Sequence, residues 1–274
     1  MTAVVPERMR SDRIRRRAVR RAVAAWARFV LLVVVTVVLL SPVLPMFWRA
    51  LVPGRGSVLQ ALAGAFAYGP TLQWLGNSAV VSIAAVLVTV LVAAPAGYVL
   101  SRGRSRSVGG FAIVLFALQA MPVLIFIVPL FILFAQVGLT DSLSGITIIY
   151  IGIAVAVAIW TMASAIDALP VQLEEAAWLD GCSVLGGFLR VVLPNALPGV
   201  LGSAVFTFLL VWNDYLIADV FLHDDSEFTI GLGLAASYGA PILSLVALIP
   251  PLVVFAVLHR WFTFGGVSGS LAGR

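Results

Sequence analysis

Two short stretches hold the residue types that could do chemistry. Glu174, Glu175 and Asp180 place three carboxylates within EEAAWLDG, and Trp212-Asn213-Asp214-Tyr215 sets an acid and an amide between two aromatic rings. Carboxylates serve acid–base catalysis, metal binding or pairing with a cationic partner. The rest of the chain offers the first two little support. It contains no lysine, so no Walker A loop can place one on a nucleotide phosphate. His223 and His259 are far apart, and Cys182 is the single cysteine, so neither a histidine pair nor a thiolate cluster suits a metal. GGVSG near the C-terminus lacks the G-x-S-x-G order and the strand before it. We therefore expect no catalytic residue, no metal and no enzyme activity. The acids are left to meet a protein or a solute.

The elements that position them are membrane helices. Hydrophobic residues make up 62% of the 274 and charged residues 11%, with a mean hydropathy of +1.10. A soluble domain carries about 25% charged residues. Runs without charge cover 29–48, 56–101, 107–140, 142–166, 191–213 and 228–259, each long enough for one span of about 20 residues. Helices are expected near 28–48, 76–100, 110–135, 145–166, 198–220 and 241–261. Gly69, Pro70, Thr71, Gln73 and Asn77 interrupt the first half of the second run, so 49–75 is read as an external connection. Barrel alternation is absent, and lipid leaves helices as the other way to satisfy the backbone. The expected fold is an all-α polytopic membrane bundle of six transmembrane helices with a helical loop on the cytoplasmic side. Pro122, Pro129, Pro250 and Pro251 are expected to break or kink their helices, either as hinges or simply to shape the bundle.

Arginine sets the orientation. Nine arginines precede the first span, Arg102, Arg104 and Arg106 follow the second, and with six spans Arg190, Arg260 and Arg274 share their side; Arg49 and Arg55 do not. This bias places both termini in the cytoplasm. Asp141, Asp224, Asp225 and Glu227 then lie outside. The resulting division is an Arg-rich cytoplasmic tail over 1–27, a first span over 28–48, the external connection over 49–75, a core over 76–262 and a cytoplasmic tail over 263–274. Cleavage after 29–48 is disfavoured because the run is long and lacks a small-x-small site. Beside a span, the basic tail suits topology and anionic lipid better than nucleic acid.

Local signals build a helix–turn–helix over 170–194. Pro170 fits a first helical position, Glu174 and Glu175 favour a helix N-terminus, and Gly181 permits a left-handed end. Ser183 can cap a second helix that carries Phe188, Val191 and Val192 and stops at Pro194; Pro198 opens the next span. A surface offering apolar groups beside acids suits a protein partner. The competing reading, an amphipathic helix on the membrane, fits poorly because such helices favour basic residues.

The same stretch resembles the EAA loop of binding-protein-dependent ABC importer permeases: Glu175-Ala176-Ala177, three residues, Gly181, nine residues, then Val191-x-Leu193-Pro194. Cys182 stands where alanine is common, and Val191 where isoleucine is. Asn77-Ser78 is similar to the family's N-S pair. Trp212-Asn213-Asp214-Tyr215 and the tail from Arg260 to Gly273 resemble the carbohydrate branch, with Gly266 and Ala272 as departures. Within that branch the chain resembles the shorter, six-span permease of a maltose-importer-like pair.

The resemblance implies a permease subunit in the cell membrane, paired with a second permease. It implies cytoplasmic ATPase subunits that bind ATP and Mg, an extracytoplasmic solute-binding protein, membrane lipid around it, and no cofactor in this chain. It implies that the helix of Glu175, Ala176, Ala177, Asp180 and Gly181 docks on the ATPase, with Glu175 facing a basic residue and Gly181 allowing the turn. Asp180 is expected to cap the turn after it, and for Glu174 a solvated position is an open reading. Trp212, Asn213, Asp214 and Tyr215 are candidates for the pathway of a sugar or sugar-like solute; an interfacial aromatic belt with a structural Asp214 stays open beside it. The alternative function, a stand-alone secondary transporter or channel, needs an ion-coupling site at the midplane. The charge-free middles of the first four expected spans argue against one.

Overall fold

The computed structural model describes residues 7–41, 43–52, 57–67, 69–236 and 241–271. The extreme ends of both tails, and the side chains of the Arg260–Gly273 motif, lie outside the described residues. All the regular elements described are helices, and they fall into two compact units, 1–58 and 59–274. The first holds α1 (Glu7–Leu40), whose Val23–Leu40 stretch is long and apolar enough to cross a membrane, and α2 (Val43–Leu51).

The second unit begins within α3 (Val58–Ala67), which at 10 residues is too short to span. It lies within the segment read from sequence as a plain external connection. Next come α4 (Thr71–Arg102), α5 (Arg106–Ala120), α6 (Leu124–Gln136) and α7 (Leu143–Asp167). α8 (Gln172–Leu179) precedes a helix made of α9 (Val184–Gly187), a π-helical turn over Phe188–Val192, and α10 (Leu193–Asn195). α11 (Leu197–Trp212), α12 (Leu216–Phe221), a 3₁₀ turn over Asp225–Glu227, α13 (Ile230–Ala236) and α14 (Pro241–Leu271) complete it. Among the described residues four single helices can cross a membrane, and six spans result if each of two bent pairs is one.

Those pairs depart from the expected straight spans. The helix expected over 110–135 is broken, and α5 and α6 meet at 96°. Pro122 disfavours helical backbone in the residue before it, and Met121 is extended at φ −83°, ψ 127°. Pro129, Pro250 and Pro251, by contrast, sit inside helices. The helix over 184–195 meets α11 at 73°, and α11 ends at Trp212 instead of continuing to 220.

The centre of the second unit is α4 packed on α7 and α11. Their buried positions are largely small: Ser78, Ser82, Ala85, Thr89, Ala93 and Gly97 on α4, Ala154, Ala158 and Ala163 on α7, and Gly199, Ser203 and Thr207 on α11. Small residues let helix backbones approach where lipid supplies no hydrophobic drive for association. The two helices α4 and α7 approach closely at Gly97, where an added Cβ would lie 2.7 Å from Met162 Cβ. α4, at 32 residues, is about 48 Å long, so a single continuous helix joins the two ends of this unit.

Candidate functional site

At one end of α4 lies the α8 loop. Leu173 and Glu174 N–H groups bond to the carbonyls of Pro170 and Val171, which starts α8 in a tight turn. α8 ends in a paired C-terminal motif. Cys182 N–H donates to the Ala177 carbonyl at 2.9 Å and Gly181 N–H to that of Trp178 at 3.0 Å, with Gly181 at φ +87°. Ser183 Oγ then accepts the Gly186 N–H at 3.1 Å and starts the second helix. Asp180 closes the C-terminal end of α8 and does not cap the second helix; Ser183 takes that role. The second helix ends at Asn195, one residue past Pro194, where the sequence places its stop. Proline removes one N–H from the ladder, and the chain accommodates it by widening the turn before it, where Leu193 N–H reaches back to Phe188.

The two glutamates of α8 have opposite environments. Glu174 is buried rather than solvated. Its Oε1 accepts Arg102 Nε–H at 2.7 Å, and its Oε2 accepts the Tyr98 hydroxyl at 2.8 Å. Arg102 Nη2 also donates to the Leu169 carbonyl at 3.0 Å, while Ser101 Oγ donates to Asp167 at 2.5 Å. The side chains of the Arg102–Glu174 ion pair are 18% and 3% exposed. Beneath it, the Tyr98 and Phe188 rings pack at 4.9 Å between centroids, over a core of Ala94, Met162, Ile166, Phe188 and Val192. Glu175 is exposed, and its side chain has no hydrogen bond or ion pair among the described residues. Ala176 and Gly181 are exposed beside it, Ala177 is buried, and Leu179 at the tip is 89% exposed. Arg102 and Tyr98 escape sequence reading; the one available signal is that Arg102 is the first charge after a long charge-free run.

At the other end of α4 the four residues of the second stretch separate. Trp212 is buried: its indole N–H donates to the Ala247 carbonyl at 2.9 Å, and its ring stacks on Phe208. Asn213 Nδ2 donates to the Leu209 carbonyl, one turn back. Asp214 Oδ2 accepts the Tyr150 hydroxyl at 2.8 Å and the N–H groups of Ile217 and Ala218 at 3.0 and 3.2 Å, so it caps α12. Tyr215 is exposed.

The 225–230 segment packs beside this turn. Trp74, Trp212, Ile230 and Leu243 share one apolar cluster. Gln73 Nε2 and Asn77 Nδ2 donate to the Ser226 carbonyl, and Asn77 also donates to that of Phe228. Trp74 Nε1 donates to the Asp225 carbonyl, and Ser78 Oγ accepts Ile230 N–H at 2.7 Å. Nearby, Asp141 at φ +55° accepts the N–H groups of His223 and Asp224 at 2.8 and 3.0 Å. Those two bonds hold its carboxyl below the ordinary carboxylate range. No group of three or more metal-ligating side chains is found among the described residues.

The chain is similar to known proteins over most of its length. Residues 93–265 match the family model of the binding-protein-dependent transport system inner membrane component. A putative ABC transporter permease protein of Streptomyces antibioticus is 32% identical over 228 residues, covering 79% of this chain and 98% of the relative. A maltodextrin transport system permease protein of Bacillus subtilis is 29% identical, over 74% of this chain and 76% of that one. The crystal structure of a bacterial ABC transporter involved in the import of the acidic polysaccharide alginate contains a chain that superposes with a TM-score of 0.68. It shares 21% identity and covers 95% of this chain and 100% of its own, a likeness of fold. The chain therefore belongs to the inner membrane components of binding-protein-dependent transport systems, as a multi-pass ABC-importer permease that works with an ATPase, a partner permease and a solute-binding protein and has no enzyme activity of its own.

Proposed function

We propose that this permease forms half of the translocation pathway for a sugar or sugar-like solute, and that α8 is its coupling helix on the ATPase. The observation that carries the reading is the contrast between Glu174 and Glu175. One carboxylate anchors α8 to the permease, and the next is free to meet a cation outside it. Trp178 and Leu179 on the same helix, and Val184 and Leu185 on the next, are exposed apolar side chains, and apolar surface left exposed beside a free charge suits a protein partner. In this reading Glu175 pairs with a basic group of the ATPase. Ala176 keeps the contact face flat, Ala177 seats α8 on its own chain, and Asp180 and Gly181 form the turn.

The arginine bias puts α8 and both termini in the cytoplasm, with six spans if each bent pair crosses once. The 76–262 core then carries transport, and the 1–27 and 263–274 tails flank it. At the opposite end, the Trp212–Tyr215 turn borders the solute path. Asn213 and Tyr215 are its exposed members, and an amide beside an aromatic ring suits the hydroxyls and faces of a sugar. The maltodextrin permease among the relatives points to the same class of solute. The shorter, maltose-type branch is the best family placement within it.

The test is Glu175→Lys in the native membrane. We expect an inserted protein that no longer retains the ATPase on purification and no longer supports uptake of maltodextrin-class sugars. Normal retention and uptake would remove Glu175 from the docking surface.

A further inference from the structure

We infer that α4 is the rod that carries ATPase motion across this permease, with the Arg102–Glu174 pair as its lower fastening and the contacts of Gln73, Trp74, Asn77 and Ser78 with the 225–230 segment as its upper one. The inference rests on α8 being the docking helix, as proposed above.

Three covalent or packed routes lead from α8 into the spans. Toward α7 the chain passes through Ala168–Val171, a non-helical link that contains Pro170. Toward α11 it passes a widened π turn and then a 73° bend. Both are joints at which a push on α8 can be absorbed by backbone rotation. The third route is through space. Arg102 grips Glu174 and the Leu169 carbonyl with separate N–H groups, and Tyr98 holds the second carboxylate oxygen. A carboxylate whose two oxygens are held by two donors from one helix is fixed in both distance and direction, which apolar contact alone does not achieve. Removing Arg102 would leave the buried Glu174 without its cation, so the fastening resists opening.

The rod itself is stiff. α4 runs unbroken from Thr71 to Arg102. Where Pro95 interrupts its ladder, Ala93, Ala94 and Gly97 are buried, and Gly97 lies directly against Met162 and Ala163 of α7. At the far end, five hydrogen bonds from four residues in adjacent turns hold the backbone of 225–230. That segment packs against the Trp212–Tyr215 turn, since Gly231 lies directly against the Asp214 carbonyl. Displacement of α8 therefore reaches the candidate pathway turn along one helix. Glu174 and Arg102 are positioning residues in this mechanism; neither touches solute.

The experiment is hydrogen–deuterium exchange of the assembled permease–ATPase complex, nucleotide-free and trapped with ATP, Mg and vanadate, and it needs no identified solute. In the wild type, exchange is expected to change in α8 and also at 225–230, where the Ile230 amide is bonded to Ser78. In Glu174→Gln the α8 change should persist, while the change at 225–230 should be about tenfold smaller. Should that variant fold poorly, the doubly apolar Arg102→Met/Glu174→Leu removes the fastening without leaving a buried charge. The same loss is expected there, and the exchanged pair Arg102→Glu/Glu174→Arg should restore part of the response. An undiminished response at 225–230 in either variant overturns the rod. So does a wild-type complex in which α8 responds and 225–230 does not, which would leave the docking of α8 standing. A wild-type complex in which α8 itself is silent overturns the docking reading and the rod with it.

Discussion

Replacing Asp214 by alanine separates a structural role from a place in the solute path. One oxygen of this carboxylate caps α12 through the Ile217 and Ala218 N–H groups and also accepts the hydroxyl of Tyr150, a residue that is fully buried. Loss of the cap costs about 1 kcal/mol. The orphaned hydroxyl of the buried Tyr150 adds about 1–3 kcal/mol. Asp214→Ala should therefore destabilise the permease by about 2–4 kcal/mol, and Asp214→Asn, which keeps an acceptor, by about 1 kcal/mol. The cost should be coupled to Tyr150. In Tyr150→Phe no hydroxyl is left to be orphaned, so the double variant should be less destabilised than the sum of the singles by about 1–2 kcal/mol. Unfolding in mixed micelles with increasing SDS measures wild type and variants alike. An Asp214→Ala variant that unfolds like the wild type while losing uptake would refute the capping argument and return Asp214 to the solute path.

Other consequences are as direct. Gly181 sits at φ +87° in the turn that ends α8, so Gly181→Ala should cost about 1–2 kcal/mol locally. Gly181→Asn should cost less, and ATPase retention on purification should fall in the same order. The Asp141 carboxyl titrates below its ordinary value of 3.8 because two backbone N–H groups hold its charged form. Its contribution to stability is then complete above about pH 4 and is lost as pH falls through the lower, folded value. The difference in thermal midpoint between wild type and Asp141→Asn should accordingly be constant near neutrality and shrink only below that range. A difference that shrinks already at about pH 6 would mean another group holds the 221–224 segment.

The parts legible in the sequence are those set by local chemistry. Loss of charge marks the spans, because the energetic cost of burying charge in lipid is felt residue by residue. Pro170, Gly181 and Ser183 mark the α8 loop, because each acts on its own few bonds. Contacts between distant segments leave no such mark. Arg102 and Glu174 stand 72 positions apart, and nothing at either position names the other, so Glu174 looks as free as Glu175 in the bare sequence. Trp212 reads there as a pathway or interfacial-belt residue, yet its indole N–H is satisfied by Ala247, a partner on another helix. Proline is ambiguous for a physical reason. At Pro122 the break opens into a 96° turn, whereas Pro129 sits inside a helix that continues to Gln136; the outcome depends on packing that single residues do not encode.

The claim that α8 is the coupling helix is tested most directly by a photo-crosslinking amino acid at Leu179, the exposed tip of that helix. Illumination of native membranes, followed by mass spectrometry of the adduct, should yield a covalent product with a P-loop ATPase, and Glu175→Lys in the same chain should reduce its yield. Adducts with lipid alone, in membranes where the ATPase is present and the permease is active, would contradict it.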